Sequence, residues 1–151
     1  MSKAQILLVE DDDVLRDVVE RNLSARGHAV CGSSDVQDAL IHLRSQKFDL
    51  IFLDINLPEQ TGWDLLRALQ TEGHVLQRVQ GCLPVVVLSA VRVSPQRLAE
   101  FHPLAYLPKP FPMEAILRLA AEAAQRHTDG QYASEPRSYK ASHAHEEKFY
   151  A

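Results

Sequence analysis

Cysteine is scarce in this chain. Its 151 residues include two, Cys31 and Cys82. With no export signal in "MSKAQILLVEDDD", a short apolar run stopped by acids, both are expected as reduced thiols in a cytoplasm. Long hydrophobic runs are lacking too. None approaches the roughly 18 to 20 apolar residues that span a bilayer, so no membrane segment is expected. Positive charge is not in excess either. Sixteen Lys and Arg against twenty Asp and Glu leave a formal net charge of −4. That balance argues against nucleic acid as a direct partner, since phosphate binding needs a basic face. What remains, 46% hydrophobic and 24% charged, is the composition of an ordinary globular domain, long enough for one real core and short for two.

Up to about His127 the chain alternates short apolar runs with helical patterns. "AQILLVE" (4–10) is a continuous apolar run of the kind shown by a parallel strand covered on both faces. From Asp13 the period turns helical, with Leu15, Val18, Val19 and Leu23 on one face and Gly27 placed to end the helix. "HAVCG" (28–32) reads as a second, weaker strand. Ser34 with Gln37 makes a capping box for a helix carrying Val36, Ala39, Leu40 and Leu43. "FDLIFLD" (48–54) is the third strand, "INLPEQTG" a loop, and "WDLLRALQ" a helix with Leu65, Leu66 and Leu69 inward.

Residues 71–82 fit a helix extension, a short extra helix or a loop. "LPVVVLSA" (83–90) is the fourth strand, Ser94 and Pro95 open a short helix through Phe101, and "LAYL" (104–107) is the fifth strand. After "PKPFP", Pro112 opens a last helix with Met113, Ile116, Leu117, Ala120 and Ala124 on one side. Strict strand–helix alternation implies right-handed crossovers and an α/β, doubly wound domain over residues 1–127. Residues 128–151 have no apolar periodicity and read as a disordered tail. Its aromatics, Tyr132, Tyr139, Phe149 and Tyr150, offer an alternative as a docking segment.

In an open parallel sheet, ligands bind beyond the carboxyl ends of the strands. Each such end here carries a polar group: Glu10 and Asp11, Asp54, Ser89 and, just past the fifth strand, Lys109. Four consecutive carboxylates, Glu10 to Asp13, repel one another and need an offset. A hard cation supplies one, and Mg²⁺ takes oxygen ligands from one or two carboxylates, carbonyls and water. Asp11 and Asp54 would ligate it, with the Asn56 carbonyl as a third oxygen and Glu10 acting through water. Asp54 is then placed as a carboxylate nucleophile toward a phosphoryl group, with Lys109 and the Ser89 hydroxyl stabilising its equatorial oxygens. Asp12 and Asp13 read more simply as helix N-terminal acids.

The strings "ILLVEDDDVLR", "DLIFLDINLPEQTGWDLL", "VVVLSA" and "YLPKPF", in this order, resemble the receiver domain of two-component response regulators over roughly residues 4–126. The resemblance implies a (βα)5 flavodoxin-like receiver fold, a five-stranded parallel sheet in the order 2-1-3-4-5. It implies Asp54 as phospho-acceptor, Glu10 and Asp11 as the acidic pair, Ser89 as switch hydroxyl and Tyr106 as the aromatic switch residue. Lys109 becomes the site lysine, with a cis bond to Pro110. The implied cofactor is Mg²⁺, and the implied phosphodonor is a sensor histidine kinase or a histidine phosphotransfer protein. The output would be contact with a further protein, with a homodimer on phosphorylation as one form. In the 2-1-3-4-5 order Cys31 and Cys82 lie on strands that are not neighbours, which disfavours a disulfide.

Two segments depart from the family pattern. Residues 71–82 are long, and "FHPLAY" replaces a small pair before the fifth strand, with His102–Pro103 ending the fourth helix early. A tail in place of an output domain points to a stand-alone receiver, with the receiver part of a longer regulator as the alternative. The chain would catalyse only its own phosphorylation and dephosphorylation. Three other classes compete. A haloacid-dehalogenase-type phosphatase carries a second Asp two residues after its nucleophile, where this chain has Asn56. A flavodoxin-like flavin carrier would meet four carboxylates at its phosphate loop. A pseudo-receiver would keep the fold and take no phosphate.

Overall fold

The computed structural model describes residues 2–72 and 83–129. Five strands, β1 (Gln5–Val9), β2 (Ala29–Ser33), β3 (Leu50–Asp54), β4 (Val85–Ser89) and β5 (Ala105–Pro108), form one parallel sheet in the order β2-β1-β3-β4-β5. Five helices occur among the described residues: α1 (Asp13–Ala25), α2 (Val36–Ser45), α3 (Gly62–Thr71), α4 (Pro95–Phe101) and α5 (Met113–Asp129). This is the doubly wound order the sequence implied.

The alternation of side chains along each strand divides the core into two layers. Ile6, Leu8, Leu50, Phe52, Val86, Leu88, Ala105 and Leu107 meet Val19 and Leu23 of α1 and Ile116, Leu119 and Ala123 of α5. Leu7, Val9, Ile51, Leu53 and Val87 face the other way, onto α2, α3 and the α4 region. Residues 6–9 of β1 and 50–53 of β3 are apolar without interruption, as fits strands covered on both faces. Their burial is what aims Glu10 and Asp54 at one rim.

Several local expectations shift. Asp35, not Ser34, caps α2, accepting from the Asp38 N–H at 2.8 Å. A carboxylate is the stronger acceptor at a helix N-terminus, so the neighbouring hydroxyl loses the position. Val18 is 42% exposed rather than inward, because the buried stripe of α1 narrows to Val19 and Leu23. Trp63, which the sequence did not single out as core, is buried and stacks on Phe101 with ring centroids 5.3 Å apart. The early end of α4 is present: His102 takes a left-handed conformation, φ 49°, before Pro103. α5 runs to Asp129, past the expected boundary, and Leu119 and Ala123 join its buried side. The Lys109–Pro110 bond is cis. The ambiguous segment 73–82, with Cys82, and the tail from residue 130 lie outside the described residues.

His28, just before β2, is buried, and its Nδ1 accepts the Ala4 N–H at 3.1 Å. Burial first, and then the positive charge of Arg26, holds its pKa below the ordinary 6.5. The unfolded chain therefore takes up this proton first. The contribution to stability is full above pH 6.5 and is lost as pH falls through the lower folded value. Thermal melts followed by circular dichroism are expected to show a midpoint that drops below pH 6.5, with a smaller drop in His28→Gln, which keeps an acceptor but cannot charge.

Candidate functional site

The four acids that follow β1 divide their tasks. Glu10 is 1% exposed and continues the line of the strand, its N–H donating to the Ser33 carbonyl. Asp11 is exposed at the rim. Asp12 caps α1, accepting from the N–H groups of Val14 and Leu15 at 3.0 and 3.1 Å. Asp13 stands in the first turn and accepts from Arg16 at 2.6 Å. The last two are thus the helix N-terminal acids read from the sequence, where the helix dipole favours negative charge.

Beside Glu10, at the end of β3, lies Asp54, 2% exposed. Carboxylate oxygens of Glu10, Asp11 and Asp54 come within 4.8 Å of one another. Lys109, carried past the end of β5, enters from the far side of the sheet. Its Nζ donates to Glu10 Oε1 at 2.6 Å and to Asp54 Oδ2 at 3.2 Å. Part of the offset that the acid cluster needs therefore comes from the chain's own ammonium group.

Electrostatics follow from this packing. Burial is the largest influence on Glu10, and the neighbouring Asp54 adds to it. Together they outweigh the Lys109 hydrogen bond and push Glu10 up to about 7. Lys109 is raised, since its two carboxylate partners outweigh its own partial burial. Three oxygen donors, at least one of them buried against its own preference for charge, suit a hard divalent cation. The all-oxygen set does not suit a soft metal.

Asn56 is exposed and reaches Asp54 through its backbone, its N–H donating to Asp54 Oδ1 at 3.0 Å. α3 begins hard against the same strand end. Gly62 donates to the Ile55 carbonyl at 2.8 Å, and a Cβ there would lie 2.7 Å from the Asp54 carbonyl oxygen. Gly62 closes the stretch "INLPEQTG", and this close approach sets its position.

Ser89 and Tyr106 meet at a shared acceptor instead of at Asp54. Ser89 is fully buried, and its Oγ donates to the Val91 carbonyl at 2.7 Å while accepting the Val91 N–H at 3.1 Å. The hydroxyl of the buried Tyr106 donates to the same Val91 carbonyl at 3.0 Å. One backbone oxygen thus joins the two residues expected to act as a switch. Arg16 went unnoticed in the sequence. Its Nη1 donates to the Glu10 carbonyl at 2.7 Å while Nη2 holds Asp13, so it clamps the turn on which Asp11 rides. The three-residue spacing of Asp13 and Arg16 on a helix start was the available signal.

Residues 6–121 match the family model described as the response regulator receiver domain. The chain belongs to that family. Among curated relatives, the response regulator MprA of Mycolicibacterium vanbaalenii is 32% identical over 133 residues, 87% of this chain and 54% of the relative. A probable transcriptional regulatory protein of Picosynechococcus is 34% identical over 125 residues, 77% of this chain and 47% of the relative. This receiver thus spans about half the length of those relatives. Among solved structures, chemotaxis response regulator CheY4 of Vibrio cholerae superposes with a TM-score of 0.67 at 26% identity, covering 82% of this chain and 98% of the other. The non-phosphorylated HemR receiver domain from Leptospira biflexa gives 0.64 at 27%, covering 91% and 98%.

Proposed function

We propose that this receiver takes a phosphoryl group onto Asp54 from the phosphohistidine of a sensor histidine kinase or a histidine phosphotransfer protein, and that the modification switches its contacts with a downstream protein. The observation that carries the reading is the meeting of three carboxylates within 4.8 Å with the Lys109 ammonium at 2.6 and 3.2 Å from two of them. Carboxylates alone would repel a phosphoryl group. A lysine already seated between them points to a site that handles added negative charge.

Glu10, Asp11, Asp54 and the Asn56 carbonyl would hold Mg²⁺. When bound, the ion neutralises charge on the phosphoryl oxygens and lowers the repulsion among the acids. In the transfer, an Asp54 carboxylate oxygen forms the new O–P bond as the N–P bond to the donor imidazole breaks. The Asn56 N–H holds one oxygen of Asp54 and fixes the carboxylate plane. Lys109, 3.2 Å from Oδ2, supplies positive charge where the equatorial oxygens arrive. Ser89 would leave the Val91 carbonyl for the phosphoryl group. That exchange alters the acceptor shared with Tyr106, so the loop after β4 feels the modification.

Asn56 stands two residues after Asp54, where a haloacid-dehalogenase-type phosphatase carries its second Asp. The proposal is therefore self-modification and not an external phosphatase activity. A cytoplasmic location accords with the phosphodonors named, and no helix among the described residues is long and apolar enough to cross a membrane. The competing pseudo-receiver reading keeps every packing contact and takes no phosphate.

Intact-mass measurement separates the two. The chain is incubated with acetyl phosphate and with a panel of phosphohistidine donors, in Mg²⁺ and in EDTA. A one-phosphate gain in Mg²⁺ that disappears in EDTA is expected. A folded chain that gains nothing from any donor would replace the switch with the pseudo-receiver.

A further inference from the structure

Away from the acidic rim, a second group of reactive side chains gathers on the edge strand. Cys31 lies mid-way along β2, opposite Leu7 in the register, half-buried on the α2 face of the sheet. Its Sγ is 3.1 Å from His42 Nδ1. The other ring nitrogen, Nε2, is 3.4 Å from Oδ2 of Asp38, four residues earlier on the same helix. Gln46, at the end of α2, aims its side-chain amide at the sulfur from 3.9 Å.

The order of these groups is chemically directed. A carboxylate at Nε2 favours the proton on that nitrogen, which leaves the Nδ1 lone pair facing the thiol. His42 sits in the last turn of α2, with Asp38 one turn before it. Thiol, base and orienting acid form the chain of an activated nucleophile. Packing accounts for none of this, since a structural cysteine needs only apolar neighbours. Burial, followed by the charges of Asp38 and Glu20, pushes the thiol's pKa above its ordinary value. The resting sulfur is therefore protonated, and attack requires a base at hand.

We propose that Cys31 is a modification site whose thiol, deprotonated by His42 and served by Asp38, exchanges with small disulfides, cationic ones preferentially. In the step, the Cys31 proton passes to His42 Nδ1 and Sγ attacks one sulfur of the disulfide. The new Sγ–S bond forms as the old S–S bond breaks, and the leaving sulfur takes the proton from His42 to depart as a thiol. The disulfide is the oxidant, so atoms and electrons balance. Asp38, held on His42 Nε2, and Glu20, whose carboxylate lies against Gly32 beside Cys31, both lend negative charge to the sulfur's surroundings, which draws ammonium-bearing disulfides and repels anionic ones. An adduct here would stand at the β2–α2 edge and leave the Asp54 chemistry to its own residues.

The full chain is incubated with cystamine or with oxidised glutathione, and adducts at Cys31 and Cys82 are followed separately by peptide mass spectrometry. Cystamine is expected to modify Cys31 faster than oxidised glutathione does. His42→Gln is expected to slow the Cys31 reaction about a hundredfold, the lower end of what a placed general base contributes, with the Cys82 rate unchanged. Asp38→Asn should narrow the preference for cystamine. Two results would each overturn the proposal: a Cys31 rate unchanged in folded His42→Gln, or a folded chain unreactive at Cys31. Faster reaction with oxidised glutathione would remove the charge preference.

Discussion

Asp54→Asn is expected to abolish the one-phosphate mass gain in Mg²⁺, lowering the rate of uptake by at least about a thousandfold, the scale on which loss of a nucleophile is felt at other covalent sites. The amide cannot form the acyl phosphate. It can keep much of the present geometry, because the Asn56 N–H at 3.0 Å needs only an oxygen to donate to. Lys109 retains its shorter bond to Glu10, 2.6 Å, so the ammonium does not lose its place. The variant should therefore fold with an unchanged circular dichroism spectrum and a melting midpoint close to wild type. Removing one of two neighbouring carboxylates also relieves a repulsion that raises Glu10. A gain that persists at the wild-type rate in Asp54→Asn would place the acceptor elsewhere and end the assignment.

Phe52→Ala should have the largest effect on stability. Phe52 is fully buried on β3, the middle strand of the sheet, and belongs to the layer shared with α1 and α5. Truncation removes most of an aromatic side chain from a close-packed interior and leaves a cavity that neighbouring strands cannot close. Such changes cost about 3–5 kcal/mol, against a total stability of roughly 5–15 kcal/mol for a domain. Urea titration should show a lower midpoint with an unchanged slope, and the thermal midpoint should fall by about 10 °C. Val14→Ala, at a site 75% exposed, is the control and should change neither. A loss below about 1 kcal/mol at Phe52 would mean that the layer of α1 and α5 does not close over β3 as described. Because Asp54 follows two residues later on the same strand, phosphoryl uptake in Phe52→Ala also reports how rigidly the core holds the proposed acceptor.

Much of this was open to reading in the sequence because it depends on local period and order. Uninterrupted apolar runs at β1 and β3 could only be strands covered on both faces, and the strand–helix alternation left few topologies. The acids after β1 and β3 and the lysine between two prolines after β5 fall on one rim once the strands are parallel. That inference needs chain direction alone. Even the early stop of α4 was visible, since a residue before proline leaves the helical region.

Competition between neighbours was not visible in that way. Ser34 and Asp35 were both suitable caps for α2, and the carboxylate took the position. Val18 shares a helical period with Val19 yet stays 42% exposed, because the width of the stripe is set by what packs against it. The clamp from Arg16 to the Glu10 carbonyl, the carbonyl of Val91 shared by Ser89 and Tyr106, and the alignment of Cys31 with His42 and Asp38 all join atoms from separate elements. By itself, the sequence determined the element order, a parallel sheet and the set of residues at its carboxyl edge, since periodicity and chain direction suffice for these, while the strand order 2-1-3-4-5 was what the family resemblance implied. Only the tertiary structure decided which oxygens face which donors, because hydrogen bonds of about 3 Å are set by packing between elements and not by spacing along the chain.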